Sequence, residues 1–142
     1  RAQGVVARTK AFDQARRDAR YNQIFADGPG SEIKRIGDLY LYGMGIAQDY
    51  GLAVKWYRRA ADLGCAEAQF RMATLLLDGL GVTRSLDQAY YWLGRTQLIA
   101  GIGLKGKAEM LQNTVAKKMT ATQRAAADQR IKAALVAPQP CE

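Results

Sequence analysis

Three observations on this 142-residue chain predict an all-α fold, a right-handed α/α superhelix (solenoid) of about seven helices stacked as antiparallel hairpins. The chain matches itself at an offset of 36 residues without a gap, as Trp56 falling on Trp92 shows. Within each matching unit apolar residues recur at spacings of three and four, the signature of one buried helical face. Glycine pairs interrupt that pattern where one helix must stop and the next begin. The length leaves room for one domain, since independent domains usually run to roughly 100–150 residues. With 49% hydrophobic and 24% charged residues the composition is globular and carries no signature of disorder. A chain of this size hides about 70% of its unfolded surface, enough for a core without metals or disulfides.

Taken in order, residues 1–31 form an N-terminal capping helix. One period back, Tyr21 lies under Tyr57 and Gly28 under Gly64, so residues 5–27 fill the slot of a return helix before Pro29 and Gly30 break the chain. Repeat one covers residues 32–65 and repeat two residues 66–101. The run Ile36-Gly37-Asp38-Leu39-Tyr40-Leu41-Tyr42-Gly43-Met44-Gly45-Ile46 aligns with Met72-Ala73-Thr74-Leu75-Leu76-Leu77-Asp78-Gly79-Leu80-Gly81-Val82. In the first helix of repeat two, Ala68, Met72, Leu75 and Leu76 make one apolar stripe, and Gly79 and Gly81 end it. Ser85 with Gln88 three residues on reads as a capping box opening the return helix, and Asp49 takes the N-cap role in repeat one. Ala53, Trp56, Tyr57, Ala60, Ala61 and Gly64 then pair bulky with small residues on one face. Residues 102–137 form a C-terminal capping hairpin: a helix over 105–118, then a helix opened by Thr120 and Gln123 whose inner stripe is Ala127, Ile131, Ala134 and Leu135. Pro138 and Pro140 end regular structure in a tail, residues 138–142.

The pattern Leu39-Tyr40-x-x-Gly43-x-Gly45-Ile46-x-x-Asp49-x-x-x-Ala53-x-x-Trp56-Tyr57-x-x-Ala60-Ala61-x-x-Gly64-x-Ala66-x-Ala68-Gln69 resembles the Sel1-like repeat, a relative of the tetratricopeptide repeat. The resemblance covers about half the chain, residues 32–101. Repeat two departs from it by carrying Thr96 and Gln97 where the paired alanines belong, which predicts a looser or rotated junction with the next helix. Lys118-Met119-Thr120-x-x-Gln123 resembles the C-terminal cap of exported bacterial members. The resemblance implies a non-enzymatic protein-protein interaction adaptor, scaffold or regulatory subunit. It also favours the bacterial periplasm or secretion over a cytoplasmic location.

Charge and chemistry narrow the function. The chain has 21 Lys and Arg, 13 Asp and Glu, a net charge of +8 and no histidine. By segment the net charge is +3 over residues 1–31, +1 over 32–101 and +4 over 102–142. The basic flanks hold only Phe12, Tyr21 and Phe25 for stacking, so specific nucleic-acid binding is not expected. Pairs such as Asp13 with Arg17, Arg124 with Asp128 and Asp128 with Lys132 instead suit solvated helix surfaces. Without histidine the commonest general base and metal ligand is missing, no carboxylate pair stands out, and neither an enzyme nor a cofactor or metal site is expected. No stretch reaches the roughly 20 apolar residues of a transmembrane helix.

Two motifs look chemical. Gly101-Ile102-Gly103-Leu104-Lys105-Gly106 spells the dinucleotide fingerprint, but it follows a helix and lacks the acidic residue about 20 positions later, so it reads as a flexible interhelical loop. Lys105 and Lys107 would at most draw an anion to the following helix N-terminus. Cys65 and Cys141 cannot form a metal cluster alone and no histidine activates either. They read as a small junction residue and a tail thiol, or as a bridge in an oxidising compartment.

In this architecture the first helix of each hairpin lines the concave side. Its stripe opposite the core projects Lys34, Arg35, Asp38 and Leu41 from repeat one, and Phe70, Arg71, Thr74 and Leu77 from repeat two, with Lys107 and Met110 extending the track. Leu41, Phe70 and Leu77 are apolar residues off the core stripe, interleaved with cations, which suits a partner protein, an extended peptide or a partner helix, with acidic character. The alternatives are an anionic surface, nucleic acid or lipid headgroups, met by the basic terminal helices, and a cell-wall fragment. The oligomeric state is open.

Overall fold

A computed structural model describes residues 16–134 and 141 of the chain. Residues 5–15 of the expected first helix, Leu135 and both prolines of the tail lie outside the described residues. The described part contains seven helices and no strands: α1 over residues 16–27, then α2 (Gly30–Tyr42), α3 (Tyr50–Asp62), α4 (Ala66–Asp78), α5 (Leu86–Ile99), α6 (Ile102–Ala116) and α7 (Ala121–Ala133). Consecutive helices α2 to α6 pack pairwise into a helical solenoid.

The 36-residue period survives at the level of single hydrogen bonds. Gly43 and Gly79, the C-caps of α2 and α4, are left-handed at φ +66° and +67°, and each donates its N–H back into its helix, to Leu39 O and Leu75 O. The next residues, Met44 and Leu80, donate to those same carbonyls at 3.0 and 3.1 Å, completing a Schellman closure in both repeats. The return helices start on Asp49, whose carboxylate accepts from Leu52 N–H, and on Ser85, whose hydroxyl accepts from Gln88 N–H; the expected capping box at Ser85 forms only in this half, because Ser85 N–H donates to Leu76 O instead of to Gln88. Thr120 and Gln123 make both halves of a capping box at the start of α7.

Packing follows a trade between large and small residues. Tyr57 is fully buried on α3, and a Cβ on Gly37 would meet its ring at 2.9 Å. One period later the smaller Leu93 is also fully buried, and Ala73 replaces the glycine. Trp56 and Trp92 are each 4% exposed. Over Trp56 lie the edges of Tyr21 and Phe25 of α1, with centroids at 5.7 and 5.1 Å. Arg59 fastens α1 from the other side, donating to Phe25 O and Ala26 O near its C-terminal end at 3.0 and 3.1 Å. Between repeats, Gly81 (φ +71°) lies so close to the start of α3 that a Cβ would come within 2.3 Å of Tyr50 O, whereas its counterpart Gly45 has open space.

The C-terminal part departs from expectation in four ways. The glycine string is not a loop: Gly101 is the N-cap of α6, Lys105 N–H donates to Gly101 O at 2.8 Å, and Gly103 and Gly106 lie inside the helix. Ala108 and Val115, buried farther along α6, and Leu111, packed on the core, sustain helix through these weak formers. Lys105 and Lys107 are therefore part of the helix rather than poised before its N-terminus.

The α5/α6 junction is not loosened by Thr96 and Gln97, for α6 packs on α5 more extensively than α4 packs on α3. The buried Thr96 hydroxyl donates to Trp92 O at 2.8 Å, and Gln97 Nε2 donates to Gln112 Oε1 on α6 at 2.6 Å. The C-terminal pair is an opened hairpin, because α7 packs mainly on α5. Gly94 permits this, since a Cβ there would lie 2.2 Å from Ile131 Cδ1, and the Tyr90 hydroxyl adds a 2.7 Å bond to Asp128. Finally, α7 ends at Ala133, so Ala134 stands just beyond the helix as its C-cap.

Cys65, fully buried at the N-cap of α4, is bonded to Cys141, with Cα atoms 5.4 Å apart and a sequence separation of 76. The bridge returns the chain's end to the junction between the two repeats.

Two outcomes are expected in denaturant unfolding. Trp56→Ala, which removes the body that α1 covers, lowers stability by about 3–5 kcal/mol. Gly45→Ala and Gly81→Ala both incur the left-handed penalty of about 1–2 kcal/mol, but Gly81→Ala unfolds at clearly lower denaturant because only there does the new methyl strike backbone.

Candidate partner-binding groove

The first helices of the two repeats, α2 and α4, present a joint polar surface assembled around Asp38. Lys34 and Asp38 are one turn apart on α2, so their side chains meet on one face, Nζ to Oδ2 at 2.8 Å. Lys34 Nζ also reaches Glu67 Oε2 on α4 at 3.0 Å, and Arg71 Nε approaches Asp38 Oδ1 at 3.7 Å. From beneath, the Tyr57 hydroxyl of α3 donates to Asp38 Oδ1. Arg71 Nη1 donates to the Tyr42 hydroxyl at 2.9 Å, and its guanidinium lies 5.9 Å from that ring. Three helices are thus joined by one network holding two cations and two anions.

The network shows in its proton affinities. Partial burial disfavours the Lys34 ammonium, but the hydrogen bonds and charges of Asp38 and Glu67 outweigh it, leaving the pKa above the ordinary lysine value. Burial, then the bond to Asp38, raises the Tyr57 hydroxyl far above the usual tyrosine range. Between α5 and α7 burial, followed by the bond to Asp128, pushes Tyr90 up to about 12.

Of the ten residues projected onto the groove, the structure joins Lys34, Asp38 and Arg71 directly. Thr74 is next to them, its hydroxyl donating to Arg71 O at 2.7 Å. Leu41, Phe70 and Leu77 are half-buried and packed against the core, so they supply support rather than free apolar surface. Arg35 turns away to line a recess of about 200 Å³ with Arg20, Tyr21, Ile24, Glu32, Ile36 and Leu39, between α1 and α2. Lys107 and Met110 are exposed on α6, and no hydrogen bond or ion pair among the described residues connects them to the network. The cations were projected as free to attract an acidic ligand, whereas Lys34 and Arg71 already face Asp38 and Glu67.

Sequence reasoning missed Tyr42, Tyr57 and Glu67. Tyr57 reads as a core residue, and its ring is one; only the placement of its hydroxyl under Asp38 gives it a second role. Glu67 lies 33 residues after Lys34, a separation that carries no signal until the helices are stacked. Among the described residues no group of three potential ligands is placed to hold a metal ion. No helix among them is long and apolar enough to cross a membrane.

Folded-state pKa values above the unfolded ones mean that Tyr57 and Tyr90 contribute stability below the ordinary tyrosine pKa of about 10. That contribution is lost as the pH rises through the folded values. Between pH 10 and about 12, phenolate absorbance of the native protein should therefore fall short of that from the seven tyrosines in denaturant. Stability should decline over the same interval, and Tyr57→Phe with Tyr90→Phe should remove most of the shortfall.

The Sel1 repeat family model matches residues 34–65 and 66–95. No curated protein matches the chain. Among solved structures, the chain is similar to c5321, a protective antigen present in uropathogenic Escherichia coli strains displaying an SLR fold, at 26% identity and a TM-score of 0.69 over 80% of this chain and 24% of that one. It is also similar to a Sel1 repeat protein from Oxalobacter formigenes, at 26% identity and a TM-score of 0.56 over 78% of this chain and 43% of that one. The chain therefore spans from about a quarter to under half the length of these structures. Sel1 repeat proteins are generally protein-protein interaction scaffolds without enzymatic activity. With two family matches in register with two hairpins of matching closure, the chain carries two Sel1 repeats.

Proposed function

We propose that the chain is a non-enzymatic adaptor that holds another protein, with an extended segment or helix of that partner laid along the α2/α4 groove. The observation that carries this reading is the network centred on Asp38. It fixes Lys34, Arg71 and Tyr42 in a common surface before any partner arrives, and Tyr42 is 56% exposed at its edge. Groups held in place in advance lose little entropy on binding, and exposed Tyr and Arg are the residues most often dominant in an interface. Because the two cations are balanced by two anions, the partner needs a mixture of donors and acceptors rather than a simple acidic run. The Cys65–Cys141 bridge supports placing the protein in an oxidising compartment, the bacterial periplasm or outside the cell.

A second reading has its own support. Arg16, Arg17 and Arg20 gather around Tyr21 in a recess of about 480 Å³ on α1, in one of the two basic flanks. That arrangement suits an anionic surface such as lipid headgroups or nucleic acid.

Capture on the immobilised oxidised chain, with identification by mass spectrometry, followed by affinity measurement on the captured protein, tests both. Tyr42→Ser with Arg71→Ser should weaken binding at least tenfold without loss of helicity; unchanged affinity rules out the groove. Strong binding to duplex DNA or anionic vesicles that collapses between low and moderate salt would favour the second reading.

A further inference from the structure

The three most exposed large apolar side chains among the described residues lie together in the sequence: Leu98 on the last turn of α5, 64% exposed, and Ile102 and Met110 on α6, 94% and 74% exposed. Ile102, Gly106 and Met110 succeed one another at intervals of four, so they run along a single face of α6. The face that packs on α5 is a different one, carrying Ala108, Leu111 and Val115. A helix apolar on opposite sides belongs between two layers, yet α7, which follows it, packs mainly on α5.

The glycines of α6 point the same way. Gly37 and Gly94 each make room for a neighbouring side chain within the chain, but a Cβ on Gly103 or Gly106 would meet nothing among the described residues. Glycine is the poorest helix former after proline, so these two weaken α6 without any packing return among the described residues. On an exposed apolar face, what they permit is close approach of a second backbone.

We propose that this face of α6 joins two copies of the chain as a two-fold symmetric dimer, the two α6 helices antiparallel and crossing at Gly106. The occupant follows from self-complementarity. With Gly106 at the crossing point, Ile102 of one copy lies level with Met110 of the other, and the same contact recurs by symmetry. On the flank nearer α5, Lys105 falls within about two residues, roughly 3 Å of helix rise, of Glu109 of the second copy. Two cross-copy ion pairs result. A parallel two-fold pairing would set this flank against the opposite one, bringing Lys105 towards Lys107 of the second copy and leaving Glu109 to share that lysine, which favours the antiparallel arrangement. Lys107 lies on the other flank and approaches its own counterpart, so moderate salt, by screening that pair and the net charge of +8 on each chain, strengthens the association.

Sedimentation equilibrium on the full oxidised chain tests this. The expected result is a monomer–dimer equilibrium at micromolar to submillimolar concentration; a chain that remains monomeric throughout overturns the proposal. Ile102→Glu should raise the dimer dissociation constant at least tenfold while leaving the circular dichroism unchanged. Gly106→Leu is the control against misfolding, because it improves helix propensity at an open position: a monomer at least as resistant to denaturant as the native chain supports the crossing point, and a dimer of native affinity overturns it. Lys105→Glu should weaken the dimer and its combination with Glu109→Lys should restore it. Failure of the combination to restore affinity overturns the antiparallel register. These measurements involve no other protein, so their outcome is independent of whether the α2/α4 groove binds one.

Discussion

Tyr57 connects the interior of this protein to its surface. Its ring is wholly buried and occupies the space that Gly37 leaves by having no side chain, which sets how closely α3 lies against α2. Its hydroxyl then emerges beneath Asp38 and holds that carboxylate, and Asp38 in turn engages Lys34 on its own helix and Arg71 on the next repeat. A single aromatic side chain thus sets a helix-to-helix distance and orients a surface network across two repeats. The unfavourable burial of a hydroxyl is offset by an ionised acceptor, a stronger partner than a neutral one. Repeat two, with Leu93 and Ala73 at the equivalent positions, achieves the same backbone packing with no such polar link.

The two ends are closed by different means. At the N-terminal end, α1 covers Trp56 with aromatic edges and is secured by Arg59, which satisfies carbonyls that a helix end leaves without partners. At the other end α6 and α7 both rest on α5, where Gly94 and the Gln97–Gln112 bond replace the alanine packing of a regular repeat. The disulfide adds a covalent closure from Cys141 to the centre of the solenoid, and a loop of this length typically stabilises by about 2–4 kcal/mol. These contacts cover the outer faces of the two repeats, which a solenoid otherwise covers with neighbouring repeats.

Local features were readable and long-range ones were not. The glycines at the ends of α2 and α4, the N-caps at Asp49, Ser85 and Thr120, and the buried stripe of Ala68, Met72, Leu75 and Leu76 are all where spacing rules put them. Each depends on residues within about one helical turn. The glycine string that opens α6 reads as a loop because glycine marks a loop by propensity alone, and packing farther along the helix overrides it. For the groove, Lys34, Asp38 and Arg71 share a surface as projected, but Arg35, only one residue from Lys34, turns to α1. A projection at one angle per residue separates inside from outside and does not say which of two neighbouring helices an outside residue will meet.

The amino-acid sequence by itself determined the hairpin unit, its 36-residue period and the buried stripe of each repeat helix, because helix caps, left-handed glycines and three-four apolar spacing act over a few residues and need no tertiary partner. Only the tertiary structure decided that Asp38 would gather Lys34, Arg71 and Tyr57, that α7 would pack on α5, that Cys65 would meet Cys141, and that one face of α6 would be left uncovered by the other described residues. Those outcomes depend on where separate helices come to lie against one another, a matter of packed volume and available partners that linear spacing does not contain.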